Sequence, residues 1–243
     1  MFVSDEIRKR FITTVDIVPP KSEENAWLEK TSAAARHADF LNVSDIENAS
    51  SSIEAAKLLE DAGIKTITHI AARDRSRAQL KGMAETASDY GLKNFLCMTG
   101  KNGSNVSVFE VIEMLKENAA CVGCVANPYA ADMERETERL KIKALSGADF
   151  VITQPVFGIA DAEDFAAKSP LPVIFGVPMI SPGWIRIFKG LDIHVPDFYE
   201  NGVSNEEYSL SFAGQMLQKL RGGFSGAYLM PHGMEHRLAE VPK

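Results

Sequence analysis

The chain has 243 residues, 45% of them apolar, and a formal charge of −7 at neutral pH. That is enough apolar material for one large core without disulfides or metal, and the acidic balance excludes a general nucleic-acid binder, whose surface would be basic. No apolar run approaches the ~20 residues of a membrane span, the opening MFVSDEIRKRF lacks a signal-peptide core, and three cysteines are too sparse for a disulfide framework, so a reducing cytoplasm is the expected setting.

Eight short apolar runs follow one another along the chain. They are FITTVDIV (11–18), DFLNVSD (39–45), KTITHIAARD (65–74), KNFLCMTGKN (93–102), CVGCVANPY (121–129), DFVITQ (149–154), PVIFGVPM (172–179) and FSGAYLMPH (224–232). They are apolar almost throughout rather than alternating, as parallel strands covered by helices are. The stretches between them carry helical periodicity and helical punctuation. Ser51 with Glu54, and Ser107 with Glu110, have the spacing of a capping box, and Gly63 can close the helix after Ser51 in the left-handed conformation. A helix over 131–146 sets Met133, Leu140 and Ala144 on one face. ISPGWIRIFKG predicts a short helix, LDIHVPDFYENG an ordered loop over the barrel mouth, and 204–221 a last helix. Strand and helix in eightfold alternation predict an α/β fold, a single (β/α)8 TIM barrel over 1–243.

Such barrels carry their chemistry at the carboxyl ends of the strands. The residues to examine are therefore Asp16, Asp45, His69, Arg73, Asp74, Thr99, Lys101, Asn102, Asn127, Tyr129, Gln154 and His232. Asp16 precedes Pro19-Pro20, which would end the strand and hold an acid at the rim; position alone fits a helix cap equally well. His69 in TITHIA is either a satisfied core histidine or a neutral imidazole offered to a ligand. Arg73 and Asp74 can pair with each other, and Asp74 can cap the next helix. Thr99-Gly100-Lys101-Asn102-Gly103 allows close backbone approach to a ligand but is no Walker loop. Cys121-x-x-Cys124 within a strand puts its thiols on opposite faces, which suits packing rather than zinc. His232 and His236 lack a third ligand. Gln154 can donate and accept at once, which suits the amide-like edge of a pterin, or it braces a loop.

Taken in order, VDIVPP, THIAARDRSRAQL, LCMTGKN, LKIKALSGADFVITQPVF and IFGVPMIS resemble the methylenetetrahydrofolate reductase family over nearly the whole chain. The resemblance implies a barrel that binds FAD across its strand ends, takes hydride from NADH or NADPH, and reduces methylenetetrahydrofolate to methyltetrahydrofolate in one-carbon metabolism and methionine biosynthesis. It implies that Asp16 is the general acid and that Gln154 binds the pterin, with Asn127 and His232 on the substrate side. His69, Thr99, Gly100, Lys101, Tyr129 and Lys143 fall at flavin-contacting positions, Lys143 toward the cofactor's anionic portion.

The chain departs from the family pattern at four places. Asp16 stands for a glutamate, Lys101 for an aspartate, and His232 for an arginine; the strand-five segment reads Asn127-Pro128-Tyr129 without the family's histidine. Two further readings follow from these departures. One is a flavin-free folate barrel acting in direct reduction or methyl transfer; the other is a folate-binding subunit served by an electron-delivering partner. A homo-oligomer is compatible with all three.

Overall fold

The computed structural model describes residues 1–22, 24–47, 49–99, 105–118 and 120–241. Eight parallel strands close on themselves in sequence order: β1 (Ile12–Ile17), β2 (Phe40–Val43), β3 (Thr66–Ala71), β4 (Asn94–Met98), β5 (Cys121–Ala126), β6 (Phe150–Pro155), β7 (Val173–Pro178) and β8 (Gly226–Met230). Each lies within one of the eight apolar runs. The helices are α1 (Val3–Glu6), α2 (Glu24–Ala35), α3 (Ser52–Asp61), α4 (Arg77–Asp89), α5 (Val108–Lys116), α6 (Met133–Leu145), α7 (Ile159–Lys168), α8 (Pro182–Gly190), α9 (Asp197–Gly202) and α10 (Glu206–Leu220), followed by a 3-10 turn at Glu235–Glu240.

The period-2 geometry of the strands divides the apolar residues into two cores. Ile12, Phe40, Ile67, Leu96, Cys121, Phe150, Ile152, Ile174 and Tyr228 fill the barrel interior. Val15, Leu41, Ile70, Cys97, Cys124, Val151, Phe175 and Leu229 face the helices. Cys121 and Cys124 therefore sit on opposite faces, as their spacing requires. Gly123 faces inward by the same alternation, and only glycine fits there because Phe150 occupies the space that a Cβ would take, 2.4 Å away. At the amino-terminal end of the barrel, Val3 and Ile7 join the interior core, and the Val3 amide donates to Asn94 Oδ1 at 2.9 Å. That end is plugged, which leaves the carboxyl-terminal mouth for ligands.

Local punctuation is kept in some places and overridden in others. The Ser107–Glu110 capping box forms, and Gly63 adopts φ +78°. The Ser51 side chain makes no cap; its neighbour Ser52, buried, donates instead to the His69 carbonyl at 2.8 Å. The helix after β3 is capped by Ser76 with Gln79, not by Asp74. The loop expected over the mouth folds in part into α9, and its Tyr199 is buried under Phe157 and Phe212.

Candidate functional site

Alternation along β1 carries Asp16 to the inner rim, 5% exposed. Three donors face it. Ser44, at the end of β2, donates its hydroxyl at 2.7 Å; Tyr228, inward on β8, donates its phenol; and His232 Nε2 lies 3.5 Å from Oδ2, within ion-pair reach. Burial and the neighbouring Asp16 charge push the Tyr228 phenol well up, so it stays a donor. His232 is clamped by its ring, stacked on Trp184 of α8 with centroids 4.5 Å apart and 19° between planes. Tyr228 continues the group to His69, whose ring meets it edge-on at 6.4 Å. His69 Nε2 in turn lies 3.2 Å from Asn42 Oδ1. Burial holds the His69 imidazole below its ordinary value, against the pull of Asp16 and Asp45, and so keeps it neutral. Asp16, His69 and His232 thus belong to one connected cluster.

Gln154 stands on β6, on a different wall of the barrel. The ladder between β6 and β7 slips between Ile152 and Pro155, and the Gly176 amide bonds to Thr153 Oγ1 at 3.0 Å instead of a backbone carbonyl. Gln154 Oε1 is buried without a hydrogen-bond partner. A buried acceptor with no donor costs about 1–3 kcal/mol unless a ligand completes it.

The other predicted residues lie apart from this cluster or outside the described residues. Thr99 is half-buried just after β4; Gly100, Lys101 and Asn102 lie outside the described residues. Tyr129 is placed at the end of β5, where its phenol donates to Asp161 at 2.7 Å, accepts from the Phe157 amide at 2.9 Å, and stacks on His194 at 4.2 Å. Asn127 turns to its own loop, its Oδ1 accepting from the Tyr129 amide. Lys143, on the buried face of α6, donates to the Val125 carbonyl at 2.6 Å; burial lowers its pKa. Arg73 lies 3.3 Å from Asp45, which Arg75 holds with two further contacts. Burial pushes the Asp45 carboxyl up, but Arg75, the Ala71 amide and Arg73 together outweigh it and hold it below the usual carboxylate range. His236 is exposed, 3.4 Å from Glu206. No group of three or more histidine, cysteine or acidic side chains suited to a metal ion occurs among the described residues.

Sequence reasoning passed over Ser44, Tyr228, Trp184 and Asn42. Tyr228 was legible as the inward position two residues before Met230, and Ser44 as a polar side chain at a strand end. Trp184 carried no such signal, since α8 reaches the site only through the tertiary fold.

A small cleft of about 100 Å³ opens beside this cluster, between the end of β1, α2 and the 3-10 turn. Asp16, Trp27, Lys30, His232 and Glu235 line it.

A closed parallel barrel whose carboxyl rim gathers a carboxylate, two imidazoles and an unpartnered amide defines a (β/α)8 protein with a polar strand-end site. A family model described as methylenetetrahydrofolate reductase matches residues 3–181, most of the chain, and the chain belongs to that family. Over 131 residues it is 28% identical to a probable methylenetetrahydrofolate reductase (NADPH) of Caenorhabditis elegans, a match that covers 48% of this chain and 20% of that relative. The matched part is thus only about a fifth of the relative's length. Among solved structures, an uncharacterized protein from Clostridium thermocellum that binds two copies of 5-methyl-5,6,7,8-tetrahydrofolic acid superposes with TM-score 0.75 at 18% identity, covering 98% of this chain and 95% of that one. The 7,8-dihydropteroate synthase of Vibrio fischeri ES114 superposes with TM-score 0.56 at 15% identity, covering 96% and 91%. At these identities the likeness is one of fold. No described helix is long and apolar enough to cross a membrane.

Proposed function

We propose that this protein binds a reduced folate at the strand ends and reduces methylenetetrahydrofolate to methyltetrahydrofolate, with Asp16 as the proton donor and Gln154 as the pterin anchor. The observation that carries the reading is the pairing of a buried, donor-ringed carboxylate with an amide oxygen that lacks a partner. Family membership and the folate bound by the Clostridium thermocellum relative support the substrate class.

The chemistry follows from the substrate. The methylene carbon bridges two nitrogens and cannot accept hydride until one C–N bond opens. A proton on the departing nitrogen, given by Asp16, lets that bond break and leaves an iminium at the other nitrogen. Hydride then adds to the iminium carbon and makes the methyl group. Gln154 fixes the ring by accepting an N–H of the pterin, which completes its buried oxygen.

The family's flavin needs partners for its anionic portion. Lys143, the residue assigned to it, is buried on the Val125 carbonyl, and Arg73 and Arg75 are both held by Asp45. The Tyr129 phenol is likewise engaged on both sides. These described residues do not fit a dinucleotide flavin. That favours a barrel in which a reduced nicotinamide, NADH or NADPH, gives hydride to the folate directly.

The test is turnover of methylenetetrahydrofolate with NADH or NADPH by purified protein, with its visible spectrum recorded. Asp16→Asn should bind folate within a few-fold of wild type and lose at least ~100-fold in turnover. An active Asp16→Asn variant removes Asp16 from the chemistry. Folate binding without turnover in the wild type makes the chain a binding subunit. Strict dependence on added FAD overturns the direct route.

A further inference from the structure

The proposed reaction consumes one proton per turnover at Asp16, and a 5%-exposed carboxylate covered by folate has to be resupplied. We infer that His232 is the relay that returns this proton, drawing it from solvent through the cleft beside β1 rather than through the folate-filled mouth. The inference deepens the proposed function and rests on it.

Four observations converge. His232 Nε2 points at Asp16 Oδ2 from 3.5 Å, on the side not taken by the Ser44 hydroxyl, which holds Oδ1. The imidazole is partly open, its side chain 18% exposed against 5% for Asp16, so it bridges buried acid and water. Trp184 stacks on its ring and Phe188 meets it edge-on at 5.8 Å, so the ring plane is fixed while the nitrogens remain in the plane of exchange. Both His232 and Asp16 line the cleft of about 100 Å³, room for a few waters, whose other walls include Lys30 and Glu235.

The step balances in protons alone. Asp16 gives its proton to the folate nitrogen as the C–N bond breaks, and hydride comes from the reduced nicotinamide. His232 then passes its Nε2 proton to Asp16 Oδ2 and takes another from cleft water. Among described residues, the charged or titratable groups that face the pair are Tyr228 on β8, Lys30 on α2 and Glu235 on the 3-10 turn, with His69 behind Tyr228. Tyr228 stays protonated and His69 neutral, so neither replaces His232 in the relay. An arginine at this position would hold a charge but could not cycle a proton; a histidine can.

His232 acts through Asp16, so its test is the split between kcat and KM and chemical rescue rather than loss of activity alone. Turnover of methylenetetrahydrofolate with NADH or NADPH is measured with and without added imidazole for wild type, His232→Gln, His232→Asn and the exposed control His236→Gln. Both His232 variants should fall about 100-fold in kcat with KM within about threefold, and recover in part with added imidazole. His236→Gln should match wild type. His232 variants with wild-type kcat overturn the relay while leaving Asp16 as the acid. Losses confined to KM, without rescue by imidazole, overturn it in favour of a substrate contact. Absence of folate turnover in the wild type overturns the proposed function and the relay with it.

Discussion

Gly176→Ala is the most informative single change to the architecture behind Gln154. Gly176 sits on β7 opposite the slipped stretch of β6. A Cβ built there would lie 2.7 Å from the Thr153 carbonyl oxygen and 2.9 Å from the Gln154 carbonyl carbon and oxygen. Ordinary contact begins near 3.4 Å, so the overlap is about 0.5–0.7 Å, against backbone rather than a side chain that could swing aside. β6 would have to move by that amount, carrying the Gln154 amide with it. Overpacking of this kind costs about 1–3 kcal/mol. For a chain of this length each kcal/mol lowers Tm by about 2–4 °C, so a fall of roughly 2–12 °C is expected by calorimetry. A shift of about half an ångström at a hydrogen-bonded pterin should weaken folate binding severalfold beyond any loss of folded protein. Titration calorimetry below the transition separates the two effects. The control is Gly82→Ala in α4, where a Cβ meets nothing within 4 Å; removing a helix-interior glycine there should raise stability by about 0.5–1 kcal/mol. A Gly176→Ala protein with wild-type Tm and folate affinity would refute the argument that this glycine sets the position of Gln154.

Three further outcomes are expected. Gln154→Leu removes a buried oxygen that has no partner, so stability should hold or rise while folate binding weakens about tenfold; parallel thermal and binding titrations check that the two signs differ. Arg75→Leu should cost about 2–3 kcal/mol, less than the removal of one member of a fully buried pair because Arg73 remains beside Asp45. The Asp45 carboxyl is held below its ordinary value, so its contribution is present above about pH 4 and is lost as pH falls through the folded value; the gap between wild type and Arg75→Leu should persist from neutral pH to about 4 and shrink below it in denaturant titrations. All three cysteines are buried, and burial pushes the Cys124 thiol up to about 12 and Cys97 higher still, so thiol reagents at pH 8 should label none of them in the native protein and all three after unfolding, counted by mass spectrometry.

The sequence by itself determined the number and order of the strands and the run that contains each, because a parallel strand buried on both faces needs an unbroken apolar run whatever surrounds it. It also placed Asp16, His69, Gln154 and His232 at strand ends, since that follows from chain position within each run. Local chemistry held in the Ser107–Glu110 box but not at Ser51 and Glu54, which have the same spacing. It failed where a distant strand offered a better partner. Arg73 turns to Asp45 across the β2–β3 gap, and Lys143 turns inward to the Val125 carbonyl instead of reaching a ligand. Only the closed barrel decided that Ser44, Tyr228 and His232 face a single carboxylate, that Trp184 from α8 clamps the imidazole, and that Gln154 is left without a donor. Those relations depend on the register and closure of eight strands contributed from the whole length of the chain, and no local pattern encodes the distance between side chains two hundred residues apart.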